Sequence, residues 1–200
     1  MKTVKKSLLV MTLALLSTNV YSYELGDLVA DFKLKNVDGK MVSLSDYGSS
    51  KGVIIIFDCN TCPYSKAYNQ RIIELNNKYA SLGYPVITIN PNDPQLSPGD
   101  SFSEMVSNAK KKKYSFPYLV DESQEVARKF GASNTPHVFV LQKENKDFKV
   151  AYIGTIDNNS RDASSATKKY VEEAVDALLA NKPVTTNRTK AIGCGIKWRS

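Results

Sequence analysis

Residues 53–63 read Val-Ile-Ile-Ile-Phe-Asp-Cys-Asn-Thr-Cys-Pro, and the change of character inside that stretch decides the fold. Residues 53–57 are wholly apolar and mostly β-branched, which suits a strand buried on both faces. From Cys62 onward the apolar period lengthens. Tyr68, Ile72, Leu75, Tyr79 and Leu82 recur at helical spacing, and Gly83 supplies a stop. Pro63 fits the first helical turn, where its missing N–H leaves no bond unmade. Residues 85–90 (PVITIN) form a second buried strand. Strand, helix and strand in this order imply a parallel pair with a right-handed crossover. Two cysteines, Cys59 and Cys62, stand at the strand-to-helix junction of that unit.

Outward from this unit, residues 31–47 carry the turn signal Asp38-Gly39 between two short alternating runs, a β-hairpin pattern. Residues 91–99 are a loop rich in Pro, Asn and Asp. Ser101 and Glu104 have capping-box spacing and open a helix that places Phe102, Met105, Val106 and Ala109 on one face. Asp121 begins a shorter helix that Gly131 ends. Residues 136–142 and 149–153 are strands joined by a polar turn. Residues 165–180 are a helix with Val171, Ala174 and Leu178 inward, ended by Pro183. The fold class is α/β: a central mixed sheet flanked by helices, with an N-terminal β-hairpin extension. The expected division is a leader over 1–22, one domain over 23–182, and a tail over 183–200 laid on that domain.

The chain has 200 residues, 42% hydrophobic and 24% charged, the balance of an ordinary globular protein. Ten Gly and eight Pro exclude a collagenous or Pro/Gly-rich disordered chain, and three Cys are too few for a disulfide scaffold. The net charge of +7 invites a nucleic-acid partner, but the N-terminus changes that reading. Lys2, Lys5 and Lys6 precede the apolar run 8–16, and Val20 and Ser22 stand at the −3 and −1 positions of a cleavage site before Tyr23. This is the layout of a secretory leader. Its apolar run is too short to span a bilayer of about 30 Å as a helix. Cleavage removes three of the positive charges, leaves no membrane span, and weakens the case for nucleic acid. Export places the cysteines in an oxidising compartment, where a close pair forms a disulfide.

Three effects meet at Cys59-Asn60-Thr61-Cys62-Pro63. Helix-start amides and the helix dipole stabilise a thiolate. A spacing of three lets two sulfurs close on each other across one turn. Asp58 pushes the other way, because a nearby carboxylate disfavours a thiolate. A redox-active dithiol is the favoured reading. A structural staple is the second, although so short a loop constrains the unfolded chain little. A zinc site is the third, although the second Cys or His pair that marks one is missing.

With these residues in view, the chain resembles the thioredoxin-fold redoxins, the group of the alkyl hydroperoxide reductase and thiol-specific antioxidant proteins. The resemblance rests on DFKLKNVDGKMVSLSDY, on VIIIFDCNTCP and on Thr135-Pro136 before a strand. The closing segment 192–198 (IGCGIKW) resembles the tail of a peroxiredoxin-like subgroup. The resemblance implies a thioredoxin-like fold. It implies that Cys59 is the attacking, more exposed thiol and Cys62 the resolving one. It also implies that Pro136 is the cis-proline facing the pair, with Thr135 and His137 beside it at the substrate position. It implies exchange of a Cys59–Cys62 disulfide with protein thiols or disulfides, fed by an external thiol donor and no other cofactor, since no nicotinamide or flavin fingerprint is present.

The resemblance also implies a second activity. Cys62-Pro63 matches the peroxidatic Cys-Pro of peroxiredoxins, but Cys59 replaces the Thr three residues earlier whose hydroxyl helps bind a hydroperoxide. Arg71 and Arg128 are the nearest candidates in sequence for the peroxidatic arginine. Asn60-Thr61 replaces the usual Gly-Pro of thioredoxins, and Asp58 replaces the preceding Trp. Cys194 is a candidate resolving thiol for Cys62, a partner for a cysteine of another chain, or a buried small apolar residue. Cys59, Cys62 and His137 offer a soft donor set for copper(I), the basis of a metal-carrier reading. The basic run 110–113 is a solvated helix end that complements the helix dipole.

Overall fold

The computed structural model describes residues 21–199. The leader over 1–22 therefore lies, apart from its last two residues, outside the described residues. In chain order the elements are β1 (Leu28–Val29), β2 (Lys33–Asn36), β3 (Met41–Ser43), β4 (Gly52–Phe57), α1 (Pro63–Tyr79), β5 (Val86–Asn90), α2 (Phe102–Lys112), β6 (Tyr118–Val120), α3 (Glu125–Phe130), β7 (Asn134–Thr135), β8 (His137–Glu144), β9 (Asp147–Gly154), α4 (Tyr170–Leu179) and β10 (Cys194–Gly195).

Eight strands form one mixed sheet in the order β1-β9-β8-β4-β5-β6-β2-β3. β4 runs parallel to β5, and β5 parallel to β6, whereas β8 pairs antiparallel with β4. The N-terminal hairpin β2–β3 joins the sheet through β6, so the extension lengthens the sheet. β4 lies inside the sheet between β5 and β8, and its residues alternate between two cores. Val53, Ile55 and Phe57 pack on the side of α3, with Phe130, Phe139 and Leu141. Ile54 and Ile56 pack on the side of α1 and α4, with Tyr68, Ile72, Val171 and Val175. Two covered faces explain why the strand carries no polar residue. Burial of each Ile contributes about 1.5–3 kcal/mol. That depth of anchoring holds the strand's C-terminal end, and so the cysteine pair, in place.

Several expectations are adjusted. Leu82 is exposed, because α1 ends at Tyr79 and Gly83 turns the chain at φ +97 four residues beyond the helix. In α2, Met105 and Ala109 are buried, but Val106 is exposed. The box expected at Ser101 and Glu104 does not close: Ser101 is the N-cap, yet no side chain caps the helix, and its hydroxyl meets Ser103. A short strand, β6, lies between α2 and α3, where three residues gave too little periodicity to read. The last helix begins at Tyr170, since residues 158–168 are occupied by turns in which Asn158 and Asp162 hydrogen-bond their neighbours. The segment after α4 crosses back over the sheet. Thr189 N–H donates to Ile153 O at 3.0 Å, and β10 pairs with β7 in a separate two-stranded ladder.

Among the described residues no helix is long and apolar enough to cross a membrane.

Candidate active site

The site lies at the C-terminal end of β4, where the chain enters α1. Cys62 is the N-cap of α1 with extended backbone, and Pro63 is the first helical residue. All three cysteines are free thiols. Cys59 and Cys62 are 4% and 3% exposed, so both thiols are buried to the same degree. Cys194 is only half-buried.

The Thr135–Pro136 peptide bond is cis, as implied. Thr135 lies against both sulfurs of the pair. Its hydroxyl is 3.1 Å from Cys59 Sγ, and its carbonyl accepts from Cys62 Sγ at 3.1 Å. Cys62 Sγ also receives the amide of Cys194 at 3.3 Å. Ser65 Oγ lies 3.8 Å from Cys59 Sγ.

These surroundings treat the two thiols oppositely. The Cys62 thiol is pushed down, first by a hydrogen bond from Cys59, then by the Cys194 side chain and the amides of Ser65 and Cys194, against the cost of burial. The Cys59 thiol is pushed up, first by holding the proton shared with Cys62, then by burial and by the charges of Asp58 and Asp100. The shared proton thus sits on Cys59, and the lowered thiol is the one at the helix N-cap. The Cys194 thiol is pushed up to about 11, by burial first and then by Cys62 beside it.

Asp58 is 4% exposed. Burial raises its carboxyl to about 6, against hydrogen bonds from the Ser65 side chain and the Cys59 amide. Its Oδ1 has no partner among the described residues. A buried carboxyl that titrates close to neutrality beside a thiol pair is equipped to take and return protons.

Residues 91–99 supply a support that the sequence reading missed. Asp100 is buried, and its carboxylate accepts from Asn60 N–H at 2.6 Å, Thr61 Oγ1 at 2.7 Å, Ser97 Oγ at 2.6 Å and Asn92 Nδ2 at 2.9 Å. Asn60 Oδ1 in turn accepts from Asn108 and Tyr118. The two residues between the cysteines are thus tied to a loop almost forty positions away. The available signal was the placement of this polar loop after β5, at the same end of the parallel strands as the cysteines.

His137 does not reach the pair. It is buried, its Nδ1 accepts the Ser133 amide at 3.3 Å, and its ring packs on Phe139. Burial, then Arg188, lowers it to about 4, so it is neutral at pH 7. The copper set of Cys59, Cys62 and His137 is therefore not assembled, and no group of three metal-binding side chains is present among the described residues. Arg71 and Arg128 are also placed elsewhere. Arg71 pairs with Asp157 at 2.6 Å, and Arg128 lies over the Trp198 ring.

The AhpC/TSA family profile matches residues 25–152. The chain belongs to that family. An uncharacterised conserved protein of Geobacillus kaustophilus is 36% identical and superposes with a TM-score of 0.81, over 88% of this chain and 93% of that one. A hypothetical protein of Sinorhizobium meliloti 1021 is 31% identical with a TM-score of 0.82, over 90% and 97%. The thiol-disulfide oxidoreductase ResA of Geobacillus thermodenitrificans is 26% identical over 125 residues, which are 62% of this chain and 67% of that relative. The architecture is thioredoxin-like, shared with solved thioredoxin-fold proteins of lower identity. This AhpC/TSA protein is a thiol-based oxidoreductase.

Proposed function

We propose that this AhpC/TSA protein is an exported thiol-disulfide oxidoreductase that exchanges a Cys59–Cys62 disulfide with the thiols of partner proteins. The observation that carries the reading is the pair itself: two thiols at a helix start, both against the residue that precedes a cis-proline. The leader-like residues 1–22 and the likeness to ResA support export and disulfide exchange.

Cys62 is the sulfur of the pair that exchanges with a thiol from outside the pair. In the reducing direction its thiolate attacks a disulfide, one partner sulfur leaves as a thiolate and takes a proton, and a mixed disulfide forms. Cys59 then gives its proton to Asp58 and attacks Cys62, which releases the second partner sulfur and closes Cys59–Cys62. The same steps in reverse oxidise a dithiol. An external thiol donor restores the reduced pair.

The test is disulfide exchange with a model peptide, followed by mass spectrometry. A Cys62→Ser chain is expected to be inert. A Cys59→Ser chain is expected to stop after a single disulfide on Cys62, with no turnover. Wild-type turnover by Cys62→Ser would overturn the reading.

A second reading is a thiol peroxidase built on Cys62. Its support is family membership and a lowered thiol at a Cys-Pro helix start. Against it, the arginines nearest in sequence are held by Asp157 and Trp198. Rapid consumption of one equivalent of hydrogen peroxide by the reduced protein would favour this reading over the first.

A further inference from the structure

The last residues of the chain are built into the site. β10 pairs antiparallel with β7, with Cys194 opposite Thr135 and Gly195 opposite Asn134. This is the edge beside Pro136 where an exchanging thiol from another protein would have to lie. Gly193 permits the approach: a Cβ there would stand 2.2 Å from Thr135 O and 2.6 Å from its carbon. Fixing groups stand on both sides of the cysteine. Asn134 Nδ2 donates to Gly193 O at 2.9 Å, and Ile196 N–H donates to Ser133 O at 3.1 Å. Further along, Lys197 N–H donates to Asn92 Oδ1 at 2.9 Å, and Lys197 O accepts from Asp93 N–H and Gln124 Nε2. Ile196 is buried, and Trp198 packs on the core beneath Arg128. The strap is thus seated by backbone and side-chain bonds along its length.

Its position has a chemical consequence. Cys62 Sγ receives the Cys194 amide at 3.3 Å, and both sulfurs of the pair lie 3.1 Å from Thr135, the residue opposite Cys194. The two thiols of the pair are buried, and the third is half-exposed. The adjoining Asp58 carboxyl is buried, and its Oδ1 has no partner among the described residues.

From this geometry we infer that the strap is an internal substrate strand and that Cys194 is the partner-facing thiol, relaying exchange between an extended cysteine-bearing segment of a partner protein and the buried pair. The inference rests on the disulfide-exchange reading above.

In the oxidised chain Cys194 loses its proton to solvent and its thiolate attacks Cys62 Sγ. The Cys59–Cys62 bond breaks, Cys62–Cys194 forms, and Cys59 leaves as a thiolate that takes a proton. No electrons are gained or lost in that step. A partner dithiol then attacks Cys194, which breaks Cys62–Cys194, releases Cys62 as a thiolate and forms a partner–Cys194 disulfide. The partner's second thiol closes onto its first and releases Cys194. The partner loses two electrons and two protons, and the Cys59–Cys62 pair gains two electrons. Run backwards, the same path reduces a partner disulfide.

The test uses the chain with all residues of the strap present. A Cys59→Ser chain treated with one equivalent of oxidised glutathione is expected to accumulate an internal Cys62–Cys194 disulfide, read by peptide mass spectrometry. A Cys194→Ser chain is expected to exchange with a disulfide-bonded peptide at least about tenfold more slowly than wild type. Gly193→Ala, which unseats the strap, is expected to lower the yield of the internal disulfide in the Cys59→Ser background. Glutathione left on Cys62 with Cys194 free would overturn the relay. So would a Cys194→Ser chain as fast as wild type or faster, which would make the strap only a cover. These outcomes differ from failure of the underlying reading, in which Cys62→Ser keeps wild-type exchange.

Discussion

The junction between β4 and α1 and the strap of residues 192–199 meet at one sulfur, Cys62, yet they are held by different forces. The junction is anchored in two apolar cores, one on each face of β4. The strap is held mainly by polar bonds to Ser133, Asn134, Asn92, Asp93 and Gln124, with Ile196 and Trp198 as its apolar anchors. Apolar burial is worth kilocalories per residue, whereas a hydrogen bond to a group that water can also satisfy contributes about 0.5–1.5 kcal/mol. The difference teaches a division of labour. The pair is fixed by packing, and the segment that lies over it is fixed by hydrogen bonds.

Four substitutions can break or sharpen that contrast. The largest loss is expected at the junction. Ile55→Ala opens a cavity beneath the cysteine pair and should cost about 2–5 kcal/mol, read as a lowered midpoint in denaturant unfolding. A loss below about 1 kcal/mol would mean that the two cores do not hold the strand as described.

Asp58→Asn should act in the opposite sense. The folded carboxyl titrates at about 6 against an ordinary 3.8, so the folded chain holds this proton more tightly than the unfolded chain. Stability is therefore lost as pH rises between those values, and the penalty is complete above pH 6. Removing the charge should raise stability above pH 6 by about 3 kcal/mol and leave it unchanged below pH 4. The same variant should erase any step near pH 6 in the exchange rate. A variant with the wild-type pH profile would remove Asp58 from proton handling.

Asp100→Ala tests the loop between the cysteines. It leaves Asn60 N–H and the Ser97 and Thr61 hydroxyls without their acceptor, at about 1–3 kcal/mol. The expected sign beyond stability is a change in the reduction potential of the pair, because Asn60 and Thr61 lose their tie. The smallest effect belongs to the strap. Trp198→Ala removes a ring that Arg128 covers, at about 1 kcal/mol of stability. It should nevertheless speed hydrogen exchange at the amides of Cys194 and Ile196 far more than at those of β4. Equal acceleration in both regions would end the comparison between them.

Much of the scaffold is legible in the residues because its signals are local. Tyr68, Ile72, Leu75 and Tyr79 are buried at the spacing that marked α1, and Val171, Ala174 and Leu178 are buried in α4. The second helix signal was less dependable. Val106 faces water because α2 has only a narrow partner in β6 and the 3₁₀ turn before it, so its apolar face is a stripe of Met105 and Ala109. At the site, Thr135 and Pro136 could be placed beside the pair only through likeness to a family. His137 could not be told from a site residue, since the side to which a strand residue points depends on where the strand begins to pair. Asp100 was hidden in a loop whose composition suggests solvent, although Asn92, Asp93, Ser97 and Asp100 are all buried.

By itself the sequence determined the βαβ unit, the burial of β4 on both faces, and the cysteine pair at a helix start. Each of these follows from periodicity, capping and spacing within a few turns of chain. Only the tertiary structure decided which thiol is pushed toward its thiolate and what lies over it. Cys62 meets the Thr135 carbonyl 73 positions away and the Cys194 amide 132 positions away, and Cys59 shares its pocket with Asp58 and Asp100. Thiol chemistry is set by the charges and dipoles within a few ångströms, and folding, not adjacency in sequence, brings them there.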